Sequence, residues 1–419
     1  MAGELVSSFK MTSDRSSLHV SHFPYLKFDN TPQMWWLNGL RISRELAAKL
    51  VLFFLPLFLF QQGQSLSFWP DQFSSLQRGV MWLALFFLVR NVVALITAIP
   101  SAQLISKIGP QRAIELSQLG FMMQFWLLLI GKDQAIWLVL AAAVLDGTQN
   151  LFWSSYFTLL SQNAVKTRFG ADVGLINFLL HLVVLLAPIL GGWLIMWQGF
   201  GALFLVGIVC VLVGMILALK LNVSEAKDRV SWTEFFSWLH ERSYQKLAFS
   251  YVGRYSNDAA LSIWPLYVFL LVGSVQEVGY LYSLALFLAM IVTYITAAGL
   301  DKLHNRRPFV FSGGLLSLLW LMRTQIGSIW SIVMIDTCDR LTASFHWLFF
   351  DKQFLVRSKG REALSFFAYR EVIIGLAAVG FWLGFILIFG LFGWPLKAVF
   401  VVAAIGVWLS LLVREHKTE

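Results

Sequence analysis

Apolar runs of about 20 residues succeed one another along nearly the whole chain, and each is long enough to cross a bilayer core of about 30 Å as an α-helix. Twelve can be marked, at 46–65, 79–104, 112–131, 135–160, 169–196, 199–221, 247–272, 276–300, 308–326, 328–350, 363–391 and 394–413. Only Trp197, Gln198 and Gly199 separate the fifth from the sixth. The runs are continuous and not alternating, so they predict helices and exclude the strands of a barrel. In lipid each segment must satisfy its own backbone hydrogen bonds. Hydrophobic residues make up 58% of the 419 and charged residues 13%, whereas a soluble domain carries about 25% charged residues. The expected fold class is all-α: a polytopic membrane protein with twelve transmembrane helices.

The helices fall into two matched sets. AQLISKIGPQR, Ala102 to Arg112, joins the second and third runs, and AAGLDKLHNRR, Ala297 to Arg307, joins the eighth and ninth. Both begin with a small residue, carry Lys at the sixth position (Lys107, Lys302) and end in Arg. The segments starting at Phe152 and His346 repeat at the same offset to within a residue, as Trp153 and Trp347 show. Two separate stretches agreeing on one offset indicate a duplicated half of about 200 residues. In a membrane chain, duplicated halves point towards a transporter. The one sizeable interruption carries EAKDR and then WTEFFSWLHER, the latter suited to an amphipathic helix on the membrane face. The predicted organisation is a polar segment 1–45, a six-helix bundle 46–221, a linker 222–246, and a second six-helix bundle with a short tail, 247–419.

If both ends face the cytoplasm, most of the 32 Lys and Arg lie in inner connections and termini, and Arg78, Lys132, Arg323 and Lys397 are left outside. That bias is a positive-inside signal. It predicts a protein integral to the plasma (cytoplasmic) membrane with both termini inside. It also accounts for the formal net charge of +9, which therefore does not argue for nucleic acid. The first 45 residues are polar, with no apolar core after a basic start, so no cleavable signal peptide is expected. Met34 to Lys49 reads as an amphipathic approach to the first span, with Trp35 and Trp36 at the interface. Cys210 and Cys338 fall inside spans, which argues against a disulfide and against a metal cluster. There is no GxxxxGK, HExxH or CxxC, so no cofactor or metal is expected and an ATP-driven pump is disfavoured.

These residues resemble the major facilitator superfamily, over about residues 46 to 414. The family's loop signature between spans 2 and 3 reads Gly, three residues, acid, base, any residue, Gly, any residue, then basic residues. The first copy has Ala102 for the opening Gly and Ser106 for the acid, followed by Lys107, Gly109 and Arg112. The second copy keeps Asp301, Lys302, Arg306 and Arg307, with His304 where Gly is usual. In span 5, Gly174 and APILGG (Ala187, Pro188, Gly191, Gly192) look like the family's glycine-proline motif, often associated with exporters, although Val183 and Ala187 replace two of its glycines. Physically, a small residue lets two helices approach, and an acid among bases forms a charge cluster that can latch one conformer. The simpler alternative is that Lys107 and Arg112 only enforce topology.

Charges inside the spans are the candidate site. Each costs about 2.5 to 3.5 kcal/mol near mid-bilayer, so the eight Asp and Arg there would cost roughly 20 to 28 kcal/mol unpaired. An ordinary domain has a stability of only about 5 to 15 kcal/mol. They must face one another or water. The resemblance implies that spans 3, 6, 9 and 12, which lack mid-span charge, pack outside, while the others line a central cavity. Positions three or four apart share a helix face. Asp146, Gln149, Asn150 and Trp153 form one stripe; Arg254, Asn257 and Asp258 form another, followed by Trp264 and Pro265, where the helix is expected to break. Asp336, Asp339 and Arg340 stack in span 10, Asn177 and His181 lie four apart in span 5, and Arg370 and Glu371 adjoin in span 11. Structural pairing of Arg254 with Asp258 and of Asp336 with Arg340 is the competing reading. Arg90 and Asp146 have no partner in their own spans, so each is expected to find one across the cavity. Asp339, Glu371 and His181 are candidates for carrying a proton.

The expectation is a non-enzymatic secondary transporter of a small molecule, working by alternating access as a monomer, coupled to protons and possessing an exporter-like motif. A uniporter or importer of a sugar or organic anion, and a non-transporting sensor on the same scaffold, are the alternatives.

Overall fold

The computed structural model describes residues 32–66, 69–70, 72–131, 136–163, 169–222, 230–300, 307–358 and 363–413. They are helical apart from short connections, with no strand among the described residues. In the first bundle, α1 is Pro32–Gln64, α2 Ser75–Ile108 and α3 Pro110–Ile130. The fourth span is composite: α4 (Ile136–Leu145), a 3-10 turn (Asp146–Thr148) and α5 (Gln149–Asn163). Spans 5 and 6 run on as α6, Phe169–Ala218, bent where Gly199 takes φ 74°, at the junction that the three residues between the runs predict. After the short α7 (Trp232–Leu239), the second bundle comprises α8 (Arg242–Val272), α9 (Val275–Leu300), α10 (Arg307–Arg323) and α11 (Ile329–Ser358). It ends with α12 (Ala363–Phe385), which continues as a π-helical turn, Ile386–Leu391, and α13 (Ala398–Ser410). Counting α4 with α5 and dividing α6 at Gly199 gives twelve spans.

Local sequence explains the ends. Ser74 caps α2 in a reciprocal capping box with Gln77. Gly109 alone joins α2 to α3; its φ of 87° is a region that only glycine enters without a steric penalty, and Pro110 starts α3 at the one position where a missing N–H costs nothing. Pro265 does not break α8, which runs unbroken from Arg242 to Val272. The first helix starts at Pro32, ahead of its apolar run, so the amphipathic approach is the inner part of the same helix.

By length and composition alone, Ser75–Ile108, Pro110–Ile130, Leu185–Ala218 and Leu364–Gly390 are apolar enough to span a membrane. Val275–Ile291 and Ala398–Ser410 are shorter apolar helices, and the charged or polar faces of the other spans must turn inward. Between lipid-embedded helices apolar contact has no hydrophobic advantage, so close packing has to hold the bundles together. Helices α2 and α12 pack along their length: Gly390 lies against Met81, Phe87 stacks on Trp382 at 4.8 Å, and Gly375 lies against Leu95. The second interface joins α6 to α9, where the Ser283 hydroxyl donates to the Leu185 carbonyl at 2.8 Å. Here Gly279 sits on the Pro188 carbonyl, and Gly192 faces the backbone of Gln276; any side chain at 279 would overlap that carbonyl.

Helix α7 docks where both bundles meet. Its Phe235 and Trp238 are buried against Tyr369, and Tyr369 donates its hydroxyl proton to Glu234 at 2.9 Å. The Gln103 amide of α2 donates to the Val230 carbonyl at 2.9 Å, just ahead of the helix. The linker therefore touches α2 of one half and α12 of the other.

Candidate functional site

A cavity of about 370 Å³ lies between the two halves. From the first half α1 brings Arg44, Glu45 and Lys49, and α2 brings Arg90, Asn91 and Ala94. Phe121 of α3 and the stripe Asp146, Gln149, Asn150 and Trp153 complete that wall. The second half closes it with Tyr255 of α8 and Glu371, Ile374 and Gly375 of α12. Beyond it, towards the end where α1 finishes and α2 starts, the halves are in close contact. Trp382 lies between Phe87 and the Tyr255 hydroxyl, to which its indole N–H donates at 2.9 Å, and Phe53 packs on Tyr282 at 4.4 Å.

The stripe in span 4 behaves as its spacing implies. Arg90 Nε donates to Asp146 at 2.6 Å, and Gln124 reaches the second carboxylate oxygen at 3.4 Å. Both partners belong to the first half, so the pair closes within the wall of the cavity and not across it. Asn150 donates to the Ala94 carbonyl at 2.8 Å and to Thr97 at 3.1 Å, tying α5 to α2. Glu371 accepts from its chain neighbour Arg370 at 3.0 Å.

Arg44, which sequence reading assigns to topology, is a site residue. It is only 3% exposed. Its guanidinium lies between the rings of Phe121 and Phe152, 4.4 and 4.0 Å from their centroids. It donates to Gln118, to Ser117 at 3.2 Å and to Gln149 at 2.6 Å. A signal was present: Leu37, Leu40, Arg44, Ala47 and Val51 are spaced by three and four, and Arg44 sits in the middle of that buried face.

The second half holds a separate cluster. Arg323, read as an outer topology charge, is 1% exposed and binds Asp336 at 2.9 Å and Asp339 at 3.3 Å. Its guanidinium lies 4.8 Å from the Trp264 ring centroid and 4.0 Å from that of Trp320. The Trp264 indole donates to Asp336 at 2.9 Å, and the Trp320 indole to Asn257 at 2.8 Å. Asn257, Trp264, Asp336 and Asp339 are therefore buried together in the second bundle and are not part of the cavity lining. Asp336 pairs with Arg323 and not with Arg340, which lies over the Tyr282 ring at 3.8 Å. Span 9 thus contributes a buried charge from its last residue, while its middle carries none. Arg254 approaches Asp258 at 3.9 Å and stacks on Trp347 and Phe350, outside the lining.

In the loop motif, Ala102 is buried and Ser106 donates to the Ala102 carbonyl at 3.1 Å, while Lys107, Arg112 and Arg307 are exposed. Asp301, Lys302 and Arg306 lie outside the described residues, as do the side chains of Asn177 and His181 and the surroundings of Gly174. The span 5 motif is an interface: Pro188 and Gly192 meet α9, and a side chain at Gly191 would come within 2.6 Å of Phe54. Among the described residues no cluster of His, Cys, Asp and Glu could hold a metal ion.

The family model described as the Major Facilitator Superfamily matches residues 37–349. No curated protein matches the chain. Among solved structures, the crystal structure of a POT family transporter in complex with 5-aminolevulinic acid aligns at a TM-score of 0.69 and 12% identity, covering 93% of this chain and 96% of that one. A second, a POT family transporter in complex with a thioalcohol-conjugated peptide, aligns at 0.64 and 10% identity, covering 91% and 95%. At those identities the likeness is one of fold. The family match is of another kind, since it extends from the first helix into the tenth span: the chain belongs to the Major Facilitator Superfamily and has the fold of its transporters.

Proposed function

We propose that this protein is a secondary active transporter that moves a small polar molecule by alternating access, with protons as the coupling ion. The observation that carries the reading is the cavity itself. Both halves wall it, charges of both signs line it, and close aromatic packing lies beyond it on one side. With the positive-inside orientation, both termini are cytoplasmic in the plasma membrane and that packing is the outer seal. The halves then rock about the cavity, and the Arg90–Asp146 pair is the contact that a cargo or proton exchanges with. Glu45, Asp146 and Glu371 are the acids on the cavity wall. The loop motifs latch the outward-facing state through Asp301 with Arg306 and Arg307. One chain holds both halves and works as a monomer, without chemical conversion of its cargo.

The test begins with a thermal-shift screen of the purified protein against metabolites and antibiotics, repeated with Asp146→Asn. Each hit is then followed in proteoliposomes with and without an imposed pH gradient. A cargo whose stabilisation is lost in the variant, and whose flux follows the gradient, supports the proposal. Flux indifferent to the gradient removes the proton, and hits that never cross the membrane remove transport.

A further inference from the structure

Among the described residues two guanidiniums are buried, each between a pair of aromatic rings, and they differ in one respect. Arg323 has two carboxylates, Asp336 and Asp339, in ion-pair contact. Arg44 has none among the described residues; its acceptors are the neutral Gln118, Ser117 and Gln149. Burying a cation is costly unless an anion compensates it. The Phe121 and Phe152 rings supply part of that compensation through their quadrupoles. The acids on the same cavity wall do not complete it: Asp146 is bound to Arg90, and neither it nor Glu45 makes an ion pair with Arg44. The same guanidinium stands at the cavity wall, beside Lys49, which has no ion pair among the described residues. Arg44 is thus left without an ion-paired carboxylate among the described residues, whereas the sealed guanidinium in the other half has two.

We infer that the cargo carries an oxyanion, a carboxylate or a phosphate, and that Arg44 is its counter-ion, with Lys49 as the outer cation of the same subsite. This deepens the transport reading and rests on it. A guanidinium presents its donors as a planar fork that matches both oxyanions, and a cavity of about 370 Å³ admits a small organic acid. Gln118, Ser117 and Gln149 hold the fork in place; Phe121 and Phe152 fix its plane.

The test uses matched probes on the full-length protein in nanodiscs: levulinic acid, 5-aminolevulinic acid, its methyl ester, and inorganic phosphate. The expected result is stabilisation by at least one of the oxyanions and none by the ester. Arg44→Met, which keeps length and packing between the rings, should weaken the oxyanion by on the order of tenfold or more. Arg44→Lys should retain the preference at lower affinity, and it carries the comparison if the Met variant does not fold. No preference for an oxyanion in the parent protein, or an undiminished one in folded Arg44→Met, overturns the assignment. Counterflow in proteoliposomes is read separately: flux of the ester without acid preference removes the anion and leaves transport standing, while acid binding without flux does the reverse.

Discussion

Replacing Arg323 with Gln should unfold the second bundle far more readily than any change on the cavity wall. The guanidinium is 1% exposed and serves two carboxylates that are themselves 3% and 5% exposed. Removing it strands Asp336 and Asp339 in a medium without water. Breaking a buried ion pair by deleting one partner costs roughly 3–5 kcal/mol, a hundred- to several-thousand-fold shift in the unfolding equilibrium. The two indole faces it leaves behind belong to that same cost and are not additional to it. Denaturant unfolding in mixed micelles, followed by tryptophan fluorescence, reads the loss directly. The control is the triple change Arg323→Met, Asp336→Asn, Asp339→Asn, which removes the whole cluster and leaves no stranded charge. It should recover most of the stability, because an apolar replacement of a complete buried pair is often neutral. If Arg323→Gln stays within about 1 kcal/mol of the parent, the cluster is not the structural pin described here, and the division between sealed and cavity-facing charges fails with it.

Three further outcomes follow from the packing. Trp382→Ala removes both the stack on Phe87 and the donor to Tyr255; a cysteine placed at Asn91 should then label faster with an impermeant maleimide added from the outer side, and unchanged labelling would count against an outer seal. Gly279→Leu forces a side chain onto the Pro188 carbonyl. Such overpacking costs about 1–3 kcal/mol, so the melting temperature should fall, and an unaltered melt would refute the close approach of α6 and α9. Tyr369→Phe deletes the hydroxyl that meets Glu234 and the Ser231 backbone, about 1 kcal/mol per bond; hydrogen exchange in 232–239 should rise while the global melt stays put, and equal protection in both proteins would show that α7 is held otherwise.

The scaffold was legible because lipid makes hydrophobicity and span length nearly the same signal. Runs of twenty apolar residues have one use, and the repeat at Ala102 and Ala297 placed the division into halves. The span 4 stripe was legible for a related reason: four polar residues on one face of a lipid-embedded helix need a common destination, and Asp146, Gln149, Asn150 and Trp153 share one. What stayed hidden was the partner of each charge. Spacing along a helix favours i,i+4 pairs such as Asp336 with Arg340, but the side chain that Asp336 meets belongs to another helix, at Arg323. The same limit applied to Arg44 and Arg323, because a basic residue near a span end looks like a topology signal whether it turns towards water or into the bundle. Arg44 could have been caught by the period of its apolar neighbours. Arg323, three residues after Trp320 and at the very end of α10, offered only that one aromatic as a hint.

The two kinds of contact in this fold bear on how it can move. Within the second half, charge clusters such as Arg323 with its acids bind helices through contacts that cannot be opened without exposing ions to lipid. Between halves, the contacts are uncharged: rings on rings at Phe87 and Trp382, backbone against backbone at Gly279 and Pro188, and the neutral hydrogen bond from Ser283 to Leu185. Separating these exposes apolar surface, which in lipid carries little penalty, or polar backbone to water in the opened cleft, which carries little either. Bundles pinned internally by ion pairs yet joined to each other by neutral contacts are what rigid-body rocking requires. The cavity lies on that weaker boundary, where Arg90 and Asp146 from one half face Glu371 and Tyr255 from the other. Linker helix α7 is the exception, since it contacts α2 and α12 at once through Gln103 and Tyr369. Under the alternating access proposed above, opening of that end would release either the Gln103 bond to Val230 or the bonds of Tyr369 to Ser231 and Glu234, and α7 would detach from one half.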